Sequence, residues 1–159
     1  MEDAAAAPDF YFEDFPVGHT AAFGDYLVTR EEIVAFAEQF DPQPFHLDDA
    51  EGRKTLLGGL AASGWHTAAM GMRMVAEGLL ARSSCMGAPG IDEVRWLVPV
   101  RPGDRLCMRA RVTGARVSAS RPTIGLVNVE MAMLNQAGDT VYTQSNALMF
   151  GRRPESNAA

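Results

Sequence analysis

Asp41 and His46 lie in the stretch Phe40-Asp41-Pro42-Gln43-Pro44-Phe45-His46-Leu47-Asp48. A carboxylate and an imidazole sharing one water can remove and return protons near neutral pH. Pro42 and Pro44 fix φ at about −65° and push the residue before each out of the helical region. The stretch is therefore stiff, extended or turned, and not a regular helix. The two side chains converge only if that turn folds them together. Asp before Pro is also a common turn starter, its side chain bonding nearby N–H groups. A lone His more often packs than catalyses. Spacing alone leaves both readings open.

The flanking elements decide whether the pair can be held. Thr29-Arg30-Glu31-Glu32 is a capping box: Thr29 accepts from the third amide, and Glu32 reaches back. The helix it opens carries Ile33, Phe36, Ala37 and Phe40 on one face and stops before Asp41-Pro42. A short helix is expected over 48–56. Asp48 and Asp49 could bind a metal, but capping that helix is their better use. Gly58-Gly59 allows a sharp turn. A longer helix is predicted over 63–80, with Ala68, Ala69, Met72, Val75, Ala76 and Leu79 around it and Arg73 and Glu77 arriving late. A helix apolar on nearly all sides is one buried by its surroundings. Met70, Met72 and Met74 read as core filler. Trp65 and His66 either line a pocket or pack. Packing or a subunit contact fits His66 better, since it has no charge partner nearby in sequence.

The remaining segments alternate with a period of two. Strands are expected over 19–28, 91–98, 106–117, 124–134 and 140–150, with Leu106, Met108, Ala110 and Val112 inward against Arg105, Cys107, Arg109 and Arg111. Arg101-Pro102-Gly103-Asp104 and Asn135-Gln136-Ala137-Gly138-Asp139 are turns. Three long antiparallel strands after one buried helix imply an α+β fold, a sheet wrapped around that helix.

The 159 residues suit one domain, expected over 10–151 between a disordered tail at 1–9 and a frayed one at 152–159. Fourteen basic residues against 20 acidic ones give a net charge of −6, which argues against nucleic-acid binding. Cys85 and Cys107 make no disulfide framework, and His19, His46 and His66 have no ligand spacing, so no metal is expected. The acidic start is unlike a signal peptide, and no apolar run is long enough to span a bilayer. These features point to a cytoplasmic protein without membrane attachment.

Three motifs together resemble the MaoC-like dehydratase and (R)-specific enoyl-CoA hydratase family. They are Asp41-x-x-Pro44-x-His46-x-Asp48, then Gly58-Gly59-Leu60-Ala61-Ala62-Ser63-Gly64, then Trp96-x-x-Pro99-Val100-x-Pro102-Gly103-Asp104. The resemblance covers about 10–150. It implies the hotdog fold, a curved antiparallel sheet around a long central helix. It further implies that Asp41 and His46 hold the catalytic water and that the Gly64 N–H binds the thioester carbonyl. Ser63 and Trp65, flanking Gly64, become further substrate-binding positions. The substrate would be an acyl-coenzyme A thioester, with no separate cofactor. A homodimer or higher homo-oligomer is implied as well, with the pocket near the subunit boundary, and an exposed sheet edge argues the same way.

Gln43 stands where the family usually has Asn, Ser63 precedes Gly64 where its hydratases commonly have His, and Met72 replaces a Ser found in some of them. Arg53, Lys54, Arg101 and Arg105 are candidate partners for coenzyme A phosphates, with a solvated surface the better reading of each. Thioester hydrolysis, the competing chemistry, would need a carboxylate on or near the central helix. The stretch 63–76 has none. A non-catalytic acyl-CoA-binding protein would have no need of Asp41 and His46.

Overall fold

Three long strands in the last third of the chain make the sheet on which the rest is assembled. In this computed structural model, which describes residues 7–155, they are β4 (Arg105–Val117), β5 (Ile124–Leu134) and β6 (Thr140–Gly151). Side chains alternate across them as the period of two requires. Leu106, Met108 and Val112 are buried, and so are Val127, Val129, Met131 and Met133, while Arg105, Arg109, Arg111, Asn128 and Glu130 face outward.

β1 (Thr20–Leu27) pairs with β4 at one edge, and β2 (Cys85–Gly87) and β3 (Glu93–Trp96) both pair with β6 at the other. These strand pairings are antiparallel. Register shifts lie at Phe23/Tyr26, Val112/Gly114 and Met133/Leu134. Each adds bend and twist, and the sheet curls around α4 (Gly64–Gly78). This is the hotdog arrangement.

The buried face of α4 carries His66, Thr67, Met70, Gly71, Met74 and Val75. A Cβ on Gly71 would sit 2.7 Å from Met133 Cε, so the close approach of helix to strand needs a glycine there. The helix is buried on one side only. Trp65 (63% exposed) and Met72 (51%) lie on the open face, where the sequence led us to expect burial all round. One curved sheet covers one face of a helix, and the described residues supply no second sheet.

α1 (Arg30–Phe40) begins as its capping box dictates: Thr29 Oγ1 accepts from Glu32 N at 3.2 Å, and Glu32 Oε2 accepts from Thr29 N at 3.3 Å. Ile33 and Ala37 are fully buried, whereas Phe40, expected on the same face, is 66% exposed and meets Phe36 at a tilt. The proline-rich stretch contains one helical turn, α2 (Pro44–Leu47), with Pro44 at its first position. There a missing N–H costs nothing, which is why two prolines did not forbid the turn. Asp48 caps α3 (Asp49–Arg53), accepting from Ala50 N and Glu51 N. 

Of the expected tails, 1–6 and 156–159 lie outside the described residues. Asp9 pairs with Arg82, and Arg152 and Arg153 reach Glu13 and Asp14. No helix of the described residues is long and apolar enough to cross a membrane.

Candidate active site

The segment 60–63 binds the site together. Leu60, Ala61, Ala62 and Ser63 are all buried, Ser63 completely. Four successive residues each hold a different part of the fold. Leu60 N donates to Asp49 Oδ1 at 3.0 Å, at the first residue of α3. The Ala61 carbonyl accepts from His46 Nδ1 at 2.8 Å. Ala62 N donates to the Val100 carbonyl at 2.9 Å. Ser63 Oγ donates to Asp41 Oδ2 at 2.6 Å. Gly58 (φ +69°) and Gly59 (φ +156°) lead into this segment through backbone that disfavours other residues. Arg101 clamps the same loop, its guanidinium donating to the Leu57 and Leu60 carbonyls.

Asp41 is the C-terminal cap of α1 and His46 lies in α2. Their side chains converge, with His46 Nε2 3.6 Å from Asp41 Oδ2. That is too long for a direct hydrogen bond and leaves room for one water bonded to both. A carbonyl can only accept, so His46 Nδ1 carries a proton. In the neutral ring Nε2 then presents a lone pair towards Asp41. The Ser63 hydroxyl holds the Asp41 carboxyl below the usual carboxylate range. Burial opposes this, and the Gln43 amide (2.7 Å from Oδ1) and His46 add to it. Gln43 thus supports the carboxylate, although its amide is longer than the Asn usual at this position.

Gly64 is the first residue of α4, where the leading N–H groups have no carbonyl of their own helix to bond. Trp96 Nε1 donates to the Gly64 carbonyl at 2.7 Å, and its ring covers the Gly64 Cα. Trp65 is exposed and meets Trp96 edge to face, with ring centroids 5.3 Å apart. Two aromatic rings therefore wall the start of α4. Trp96 was present in a sequence motif, but its place over Gly64 is set by the pairing of β3 with β6.

Ser63, expected to touch substrate, is sealed from solvent. Its hydroxyl is spent on Asp41 and on the Trp65 N–H, from which it accepts at 3.2 Å. His66 packs against α1, its ring stacked on Phe36 with centroids 4.7 Å apart.

The basic residues considered for phosphate binding all have partners within the chain. Arg53 pairs with Asp49, Lys54 with Glu51, and Arg105 with Asp25. Arg101 holds the 57–60 loop. Among the described residues no three His, Cys, Asp or Glu side chains are grouped so as to hold a metal.

A hotdog fold with an Asp/His pair beside the N-terminus of its central helix defines a class of protein. The MaoC like domain model matches residues 15–132, and the chain belongs to that family. The solved MaoC-like dehydratase from Rhodospirillum rubrum is 40% identical, with 91% of this chain and 99% of that one covered and a TM-score of 0.86. The monoamine oxidase regulatory protein from Archaeoglobus fulgius is 28% identical over 91% of this chain and 96% of that one, with a TM-score of 0.81. The (R)-hydratase of Pseudomonas aeruginosa shares the fold at 22% identity, covering 91% of this chain and 87% of its own, with a TM-score of 0.71.

Proposed function

We propose that the protein is a hydro-lyase that adds water to, or removes it from, the α,β double bond of an enoyl thioester such as an enoyl-CoA. The observation that carries this reading is the 3.6 Å separation of Asp41 Oδ2 and His46 Nε2 at the start of α4. The MaoC-like family and the 40% identical dehydratase support it.

Asp41 and His46 activate one shared water. Its oxygen attacks the β-carbon while a proton passes to His46 Nε2, whose lone pair faces it. Asp41 stays ionised, because the Ser63 and Gln43 bonds favour the carboxylate, and its charge stabilises the imidazolium. His46 then returns the proton to the α-carbon on the same face of the double bond. Charge moving onto the thioester oxygen meets the Gly64 N–H and the positive end of α4. Trp65 and Trp96 flank the start of α4, and the buried Ser63 hydroxyl holds Asp41 from beneath. No cofactor is needed beyond the thioester itself.

Hydrolysis finds less support. Glu77, the first acid of α4, is exposed and paired with Arg73 at 2.9 Å.

The test is a panel of straight, branched and dicarboxylic enoyl-CoAs incubated with the full-length chain. Loss of double-bond absorbance and release of free thiol are followed together. Loss of absorbance without thiol release is the expected result. Thiol release with the double bond retained would overturn the proposal.

A further inference from the structure

We infer that Ser63 is a positioning residue, whose buried hydroxyl aims Asp41 at the shared water and fixes that aim relative to the N-terminus of α4. This rests on the hydro-lyase reading above. A serine hydroxyl has one proton to give. An ionised carboxylate can only accept, so that proton goes to Asp41 Oδ2. One of the oxygen's two lone pairs takes the Trp65 N–H. With the proton committed to Asp41 and the oxygen held by Trp65, the rotor is fixed.

The oxygen held by Ser63 is the one that faces His46. Oδ1 is held by Gln43 through an exposed bond, for which water can substitute. Ser63 is completely buried, so water cannot take its place. Asp41 also caps the C-terminus of α1, where the helix dipole disfavours a negative charge. A donor from the N-terminal cap of α4 offsets that and brings the positive end of α4 towards it. Ser63 directly precedes Gly64. The water-activating carboxylate and the proposed carbonyl-binding N–H are therefore set by adjacent residues of one helix cap, which fixes how far the β-carbon can lie from the thioester oxygen when both are engaged.

The test uses Ser63→Gly, because glycine is itself a tolerated N-cap, with Ser63→Ala as a second variant should the first melt early. In each, kcat and KM are measured against pH, and the Asp41 carboxyl is titrated by carbon NMR. The expected result is a kcat lower by about ten- to hundredfold, the scale of a misplaced reacting group, with KM little changed. The acidic limb of kcat/KM and the Asp41 titration should both move to higher pH. His46 faces the same Asp41 oxygen, so His46→Gln is measured alongside to assign the limb. In an Asp41→Asn background the same substitution should cost little more, since the partner is gone.

A folded variant with wild-type kcat overturns the inference. So does a fall in kcat with both the limb and the titration unmoved, which would mark a helix cap and nothing more. If the wild type hydrates no enoyl thioester while the Asp41 titration still moves, the hydro-lyase reading fails and the positioning of Asp41 stands.

Discussion

The indole of Trp96 lies so close over Gly64 that a Cβ at Gly64 would fall 2.7 Å from Trp96 Cε2. The φ of Gly64 is not positive, so the glycine is required by space and not by backbone conformation. Gly64→Ala must displace the indole or the first turn of α4. Turnover should fall by about 10²-fold or more, the cost of a lost oxyanion donor elsewhere. Trp96→Ala in the same chain should restore part of it by making room. Wild-type kcat in Gly64→Ala alone would refute the role given to this N–H.

Asp41→Asn and His46→Ala should each lower kcat by roughly 10²–10⁴-fold. Their stabilities should differ. His46 is buried and satisfies the Ala61 carbonyl. Removing it orphans that acceptor, at about 1–3 kcal/mol. Urea melts at neutral pH should show His46→Ala the less stable of the two.

Asp41 also gives a pH dependence of stability. Its carboxyl is held below the usual range in the fold, with the Ser63 bond the largest cause, whereas the unfolded chain titrates near pH ~4. The stabilisation is complete above that value and is lost as pH falls through the lower folded pKa. The wild type should therefore lose its advantage over Asp41→Asn as urea melts are taken from neutral pH to acid. A constant difference would contradict the assignment.

His66 carries a second, independent pH effect. Burial pushes its imidazole down, with Glu32 opposing. Its Nδ1 is the buried side-chain atom without a partner among the described residues. The unfolded chain takes up a proton near pH ~6.5 that the fold resists, so stability is full above that pH and falls below it. His66→Phe keeps the stacking on Phe36 and cannot titrate. Between pH 7 and 5 its melting temperature should drop less than that of the wild type. Parallel curves would show that His66 is not the group responsible.

A second copy of the chain should cover the open face of α4. Trp65 and Met72 are exposed there, and Trp96, Leu97 and Val98 are exposed beside them on and after β3. Among the described residues that strand pairs with β6 alone, leaving an edge that a partner strand can fill. Sedimentation at micromolar concentration should show at least a dimer, and Trp65→Glu should shift it towards monomer with loss of activity. A fully active monomer would sink both the assembly and a pocket at its boundary.

Local rules make much of this protein readable in its sequence. The Thr29 capping box, the Asp48 cap, the alternation in β4 and β5 and the end of α1 at Asp41 all follow from interactions among residues a few positions apart. Stereochemistry and burial pattern settle such features without knowledge of the rest of the chain. The motif around Asp41 and His46 was legible in the same way, as two residue types on one stiff turn. Their use depends on distant partners. Ser63 reaches Asp41 across 22 positions, Ala61 reaches His46 across 15, and Trp96 reaches Gly64 across 32. No local rule specifies those contacts, because they exist only once the sheet has curled around α4 and close packing has pressed residues 60–63 between the turn and the helix. The types of chemical group were written in the chain. Which oxygen faces which nitrogen, and which glycine lies under which ring, was decided by packing.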